Sequence, residues 1–90
     1  MRFAWDQLKA VRNVRKHGVS FDEATTVFGD PFSFTAIDGE HSLGERRFLT
    51  LGVSSSQRLL VVSHTDDEDT VRIISARNAT GKEQQIHEKG

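Results

Sequence analysis

The sequence predicts an α+β domain with the element order β-α-α-β-β-β-α, in which helices pack on a mainly antiparallel sheet. Three observations support this class. Leu8, Val11 and Val14 recur at helical spacing near the start of the chain. Two later segments, 59–65 and 71–77, are apolar on both strand faces and are separated by a short acidic turn. The length of 90 residues fits one domain over the whole chain.

The first predicted elements are a short strand over residues 2–5 and a helix that follows it. Asp6 is the predicted N-cap of this helix, and Gly18 is the residue that ends it. This helix and the one that follows it are expected to pack on the sheet. The basic residues of the first helix lie away from its apolar stripe of Leu8, Val11 and Val14 or at the edge of that stripe: Lys9, Arg12, Arg15 and Lys16.

A second helix is predicted from Phe21 to Phe28. It starts with a capping box, since Ser20 stands at the N-cap and Glu23 three residues later. Pro31 follows its end, and the apolar pattern then changes from helical to alternating.

The alternating part of the chain predicts the strands. Apolar residues share one face over 32–36, and a longer alternating segment covers 46–53. Short turns after the later strands favour an antiparallel meander. Thr80 and Glu83 form another capping box, which opens a short C-terminal helix.

Composition excludes several classes of function. The chain has no Cys and no apolar run near the roughly 20 residues of a membrane span, so we expect a cytoplasmic protein without membrane contact. A domain of 90 residues leaves no room for a deep cofactor cavity beside its core. The four histidines have no metal-ligand spacing. We therefore expect neither a cofactor nor a metal.

Charge is unevenly distributed along the chain. The net charge is −1, whereas nucleic-acid-binding proteins usually carry a basic excess. The basic residues cluster on the first helix and acidic residues cluster at 66–69, so a local positive surface is compatible with the small total.

Several polar side chains have both a chemical and a structural interpretation. Arg72 and Arg77 lie on the last strand, and their spacing predicts that they point to opposite faces of the sheet. Either arginine suits a phosphate, whose oxygens its fork binds in pairs, or is a solvated or salt-bridged strand residue. His64 lies just before the acidic turn. It is either a core residue or an acid–base group that reaches solvent.

Two further pairs of residues also have both a structural and a chemical interpretation. Lys16 and His17 either offset the dipole at the end of the first helix or supply charge to a ligand. Glu45 and Arg47 are two residues apart and share a face if they lie on a strand. They form either a salt bridge or a general base beside a cation for phosphate.

Two separated parts of the chain carry a family resemblance. The first comprises residues 3–6 and 16–21, and the second comprises residues 59–65 and 72–77. Together they resemble the BrnT-type toxins of type II toxin–antitoxin systems, whose fold is similar to that of the RelE-like ribonucleases. The resemblance extends over nearly the whole chain, from Phe3 to Glu83, and includes His41 and Ser42 between the two parts.

This resemblance implies an endoribonuclease that cleaves RNA without a metal and inhibits translation. It also implies a BrnA-type ribbon-helix-helix antitoxin, through which the toxin represses its operon at operator DNA. The site residues predicted on this basis fall into three groups: Arg77, His64, Glu45 and His87 as catalytic; Lys16, Arg47, Arg72 and Lys82 as RNA-binding; Lys9, Arg12 and Arg15 as antitoxin-binding.

The C-terminal segment departs from the family pattern. The family usually has a basic tail that ends near a tyrosine, whereas this chain has Asn78, Gly81, Gln84 and Gln85 there and His87 near the tyrosine position. The alternative function is therefore a catalytically weakened member that acts mainly as an antitoxin-binding module and co-repressor.

Overall fold

The computed structural model describes residues 1–42 and 44–89. In this part of the chain all four strand segments predicted after the N-terminal helices form, so the predicted order is confirmed except that it counts one strand too few. A single 3-10 turn, Val27–Gly29, extends the second helix within the described residues. The elements are β1 (Arg2–Ala4), α1 (Gln7–His17), α2 (Phe21–Thr26), β2 (Phe34–Ile37), β3 (Phe48–Val53), β4 (Leu59–Asp67), β5 (Thr70–Asn78) and α3 (Gly81–Lys89).

The strands form one sheet in the order β1-β5-β4-β3-β2. The pairs from β2 to β5 are antiparallel, as the predicted meander requires, and β1 joins β5 in parallel. None of the helices that the structure describes is long and apolar enough to cross a bilayer.

The hydrophobic core lies between α2 and one side of the sheet, which we call the helix face. Phe21, Ala24 and Val27 pack there against Leu60 and other buried side chains of β4 and β5. β3 approaches this layer so closely that a Cβ at Gly52 would lie 2.8 Å from Val27 Cγ1. Glycine at position 52 is therefore what lets the 3-10 turn pack on β3.

α1 lies beside the free edge of β5 rather than over the sheet. β1 has three residues and leaves the second half of β5 unpaired on that edge. The Asn13 amide takes the place of a strand there, since its Nδ2 donates to the Ala76 carbonyl at 2.8 Å and its Oδ1 accepts from the Ala76 N–H at 3.1 Å. Nδ2 also donates to the Val19 carbonyl at 2.9 Å.

The predicted apolar stripe of α1 therefore faces away from the sheet. Leu8, Val11 and Val14 are 68%, 43% and 49% exposed, whereas Asn13 is buried. An apolar stripe on a helix usually faces the core, but here hydrogen bonds to the sheet edge orient α1 through its polar side.

β5 contains an extra residue, Ile74, because its pairing with β4 passes from Ile73 directly to Ser75. Such a bulge shifts the alternation of the strand, so Arg72 and Arg77 point to the same side of the sheet. The expectation that they face opposite sides is wrong. The cross-strand pairs on that side are Thr65 with Arg72, Ser63 with Ser75, and Val61 with Arg77.

We call this second side the open face. α3 runs along one end of it, from Arg77 in β5 to Asp30 near the end of β3. Leu51 and Val61, which pair directly on this face, are buried, so α3 covers that end of the sheet. The other end of the open face remains accessible.

Candidate functional site

The accessible end of the open face forms a cleft of about 350 Å³. β3, β4 and the bulged part of β5 supply its floor, and the loop between β2 and β3 supplies much of its rim. Small and apolar side chains on the floor leave space above the sheet, while charged side chains surround that space. The floor residues are Leu49, Ser63, Ile74 and Ser75, and the rim residues are Asp38, Glu40, His41, Arg47 and Arg77.

Arg77 borders the cleft but is engaged within the chain. Its guanidinium donates to both carboxylate oxygens of Glu83, at 2.8 and 2.9 Å. Hydrogen bonding to Arg77, with further bonds from Thr80, lowers the pKa of Glu83 to about 2, and the same contact raises the pKa of Arg77. Glu83 thus neutralises a cation at the rim of the cleft.

His41 and Asp38 form a second pair at the rim. His41 Nδ1 lies 2.9 Å from Asp38 Oδ2, and the imidazole side chain is 62% exposed. The loop holds this pair in place: the Asp38 N–H donates to the Arg47 carbonyl, and Ser42 Oγ links the backbones of Asp38 and Arg47. A carboxylate on Nδ1 fixes the ring so that Nε2 is left for proton transfer.

This pair was missed as a catalytic candidate in the sequence, although His41 and Ser42 belong to the family resemblance. The signal was a carboxylate and an imidazole three residues apart in a polar loop before a strand. Only the fold brings that loop against the arginines of the cleft.

Glu45 and Arg47, predicted as neighbours on one strand face, are separated. β3 begins at Phe48, so neither residue lies in a strand. Arg47 borders the cleft, whereas Glu45 lines a different cavity together with Asp66 and Asp67. The expectation that Glu45 shares a face with Arg47 is wrong.

His64 does not reach solvent, so of its two interpretations the core residue is correct and the catalytic acid–base group is wrong. It lies on the helix face with 1% exposure, packed between the Phe28 and Phe48 rings. Its Nδ1 lies 2.7 Å from Asp66 Oδ1 and its Nε2 lies 2.7 Å from Thr50 Oγ1. Both ring nitrogens are therefore used, and His64 has a structural position.

His87 also lies outside the cleft lining. Its Nε2 lies 3.1 Å from Asp30 Oδ2, an oxygen that accepts the Val53 N–H as well. The pKa of Asp30 is lowered, mainly by the hydrogen bond from Val53 and less by His87. His87 therefore fixes α3 to the turn before β2.

The basic residues of α1 are divided between different surfaces. Lys9, Arg12 and Lys16 line a groove of about 310 Å³ that shares Ile74 and Ser75 with the cleft. This groove, which we call the basic groove, continues the cleft towards α1. Arg15 is exposed outside that groove, Arg72 lies on the open face near β1, and Lys82 is exposed at the start of α3.

Among residues 1–42 and 44–89, no group of three or more His, Cys, Asp or Glu side chains has the geometry to hold a metal ion. The acid–base and cationic groups around the cleft are the chemical groups that the described site offers.

Comparisons with known proteins agree with this fold. A family model described as "Ribonuclease toxin, BrnT, of type II toxin-antitoxin system" matches residues 5–83. The crystal structure of the Brucella abortus ribonuclease toxin BrnT is similar, with a TM-score of 0.65 at 19% identity over 89% of this chain and 97% of that chain. No curated protein sequence matches the chain. At this identity the structural likeness concerns the fold.

Proposed function

The chain belongs to the BrnT family of ribonuclease toxins of type II toxin–antitoxin systems, and we propose that it cleaves RNA without a metal in the cleft of the open face. The observation that carries this proposal is the placement of Arg47, Arg77 and the His41–Asp38 pair around one accessible cleft. These groups match what RNA cleavage requires, namely cations for phosphate and a group that transfers protons.

The two arginines are the proposed phosphate ligands. In RNA cleavage the 2′-oxygen attacks the phosphorus and the bond from phosphorus to the 5′-oxygen breaks, while negative charge builds on the other phosphate oxygens. Arg47 and Arg77 stabilise that charge from the rim of the cleft. The products are a 2′,3′-cyclic phosphate and a 5′-hydroxyl.

His41 is the proposed proton-transfer group. Its Nε2 either accepts the proton of the 2′-hydroxyl or donates a proton to the departing 5′-oxygen, while Asp38 orients the ring through Nδ1. This assignment replaces His64, whose two ring nitrogens both have structural partners, and His87, whose Nε2 is engaged with Asp30. It also replaces Glu45, which lines another cavity.

The basic groove is the proposed path of the RNA backbone beside the cleft. Lys9 and Arg12 line it together with Lys16, so we propose RNA contacts for them in place of the antitoxin contacts expected from the sequence. Arg72 lies on the open face and Lys82 lies at the start of α3, next to Glu83. We propose that both add positive charge around the cleft.

The proposed partner is a BrnA-type ribbon-helix-helix antitoxin. It neutralises the toxin in the cytoplasm, and the complex represses its operon at operator DNA. Membership of a toxin–antitoxin family supports the existence of an antitoxin. The second candidate function, an attenuated toxin that acts as a co-repressor, is favoured by the engagement of Arg77 with Glu83.

Cleavage of a labelled RNA by the purified chain in the presence of EDTA tests this function. We expect cleavage to a 2′,3′-cyclic phosphate, and a loss of about 10²–10³-fold in rate for Arg47→Ala. The matched control is Arg46→Ala, because Arg46 is the preceding residue and lines the cavity of Glu45 instead. Intact RNA with the folded parent, or equal losses in both variants, contradicts the proposal.

A further inference from the structure

We propose that the apolar flank of α1 is the docking surface for the antitoxin, and that it accepts an amphipathic segment with acidic residues beside its apolar ones. This inference rests on the proposed function, from which it takes the existence of an antitoxin. It adds the surface on the toxin and the chemistry of the segment that covers it.

The flank is an exposed apolar surface next to a groove. Val11 and Val14 line a groove of about 190 Å³ with Trp5, Ala10 and Phe21, and Leu8 extends the apolar surface along α1. Side chains three residues apart lie next to each other on a helix, so Leu8, Val11 and Val14 form one continuous strip. An apolar strip of this kind beside a groove is typical of a site for a partner helix or peptide.

α1 separates this flank from the RNA surface. Lys9, Arg12 and Lys16 line the basic groove, whereas Val11 and Val14 line the groove with Trp5. Asn13 holds the helix to the sheet edge between the two grooves. The apolar flank is thus a separate surface, and RNA bound in the cleft does not need it.

The charges around the flank decide which partner fits. α1 contains Lys9, Arg12, Arg15 and Lys16 and has no acidic residue. A second copy that docked through the same face would bring two such helices together, and the like charges would repel each other. Asp22 is the acidic residue on the lining of the groove, at the start of α2.

An acidic amphipathic segment satisfies both features. Its apolar side chains bury the strip and enter the groove, while its carboxylates pair with Arg15, which is exposed on α1 outside the basic groove. A segment seated in this way also lowers the positive potential of the adjoining basic groove. The antitoxin then weakens RNA binding without entering the cleft.

The test is the affinity of this chain for the protein encoded by the reading frame next to its own. The variant carries Leu8→Ser, Val11→Ser and Val14→Ser together, and we expect its dissociation constant to rise about 100-fold or more. Because these side chains are exposed, the fold should persist, and the thermal midpoint together with RNA cleavage by the free variant reports on that. Val11→Ser alone provides a milder change with the same direction.

The matched control changes exposed apolar residues at the opposite edge of the sheet. Phe32→Ser with Ile37→Ser removes comparable exposed surface beside β2 and should leave the affinity unchanged. Arg15→Glu should weaken binding and reduce its dependence on salt, as expected for a contact with a carboxylate.

Two outcomes contradict the proposed docking surface, and only the second also contradicts the proposed function. If the parent binds the neighbouring protein and the α1 variant binds equally well, or if only the β2 control loses affinity, the docking surface is wrong and the proposed function stands. If the parent binds no such protein, the antitoxin part of the proposed function fails, and the docking surface fails with it.

Discussion

Arg77 and Glu83 form a two-point ion pair, in which Arg77 Nη1 donates to Glu83 Oε1 at 2.8 Å and Nη2 donates to Oε2 at 2.9 Å. The pair joins β5 to the first turn of α3, where Glu83 Oε1 also accepts the Thr80 N–H. Glu83 therefore contributes to the start of α3 and occupies a guanidinium that the proposed reaction uses for phosphate. These two roles have opposite consequences for stability and for RNA binding.

Replacing Glu83 by Gln should improve RNA binding. The amide keeps the shape of the capping residue but leaves the charge of Arg77 available, so we expect KM for RNA to fall about tenfold. Steady-state cleavage kinetics measure this. Glu88→Gln is the matched control, since Glu88 is an exposed residue near the other end of α3. An unchanged or higher KM for Glu83→Gln would contradict the expectation.

The same ion pair predicts a specific loss of stability in acid. The pKa of Glu83 is lowered to about 2 from an ordinary value of 4.5, chiefly by hydrogen bonding to Arg77. The stabilisation from Glu83 is therefore complete above pH 4.5 and disappears as the pH falls towards 2.

Denaturant unfolding of the parent and of Glu83→Gln at several pH values measures this loss. The difference in unfolding free energy between them should be constant near neutral pH and shrink steadily below pH 4.5. A difference in unfolding free energy that stays constant down to pH 2 would show that the ion pair does not lower the pKa of Glu83.

The His41–Asp38 pair predicts unequal effects on the chemical step. His41→Ala removes the proposed proton-transfer group and should lower kcat by about 10²–10⁴-fold with little change in KM. Asp38→Asn leaves the imidazole in place but alters what holds Nδ1, so its effect on kcat should be smaller and in the same direction. Equal kcat for His41→Ala and the parent would remove His41 from the mechanism.

Asn13 predicts a large effect on folding from one polar residue. Asn13→Ala leaves the N–H and C=O of Ala76 and the Val19 carbonyl without this partner, which should cost about 2–3 kcal/mol of unfolding free energy. Arg12→Ala, next to it on α1 and exposed, should change stability by less than about 0.5 kcal/mol. Denaturant unfolding compares the two, and similar losses would contradict the assignment of Asn13 as the residue that holds α1.

Local signals were read correctly from the sequence. The capping box at Thr80 and Glu83 forms in full, because its two hydrogen bonds involve residues three apart. At Ser20 the N-cap forms as expected, but the Glu23 carboxylate bonds Arg58 and Ser54 instead of completing the box. Ser54 and Arg58 are 31 and 35 residues away from Glu23 in sequence, and helix-capping rules consider only residues within the first turn.

Two features of the fold were not predicted, the orientation of α1 and the common side of Arg72 and Arg77. Both depend on contacts between parts of the chain that are distant in sequence. The orientation of α1 follows from Asn13 reaching a strand edge 63 residues later, which the spacing of apolar residues does not report. The common side of Arg72 and Arg77 follows from the bulge at Ile74, a feature of the pairing between strands. The bulge places Arg77 on the side of the sheet that carries the cleft, and the loop before β3 brings His41 and Asp38 to the rim. Cations and an acid–base group were predicted from the sequence, but the set of residues that surrounds the cleft was not.

The most direct test of RNA cleavage at the cleft is expression of this chain alone in growing bacteria, beside Arg77→Ala. Growth, soluble protein and RNA integrity are followed together. We expect the parent to stop growth and cleave RNA, while Arg77→Ala accumulates as soluble protein, permits growth and leaves RNA intact. Normal growth and intact RNA with soluble, folded parent protein would contradict this expectation and leave the co-repressor function.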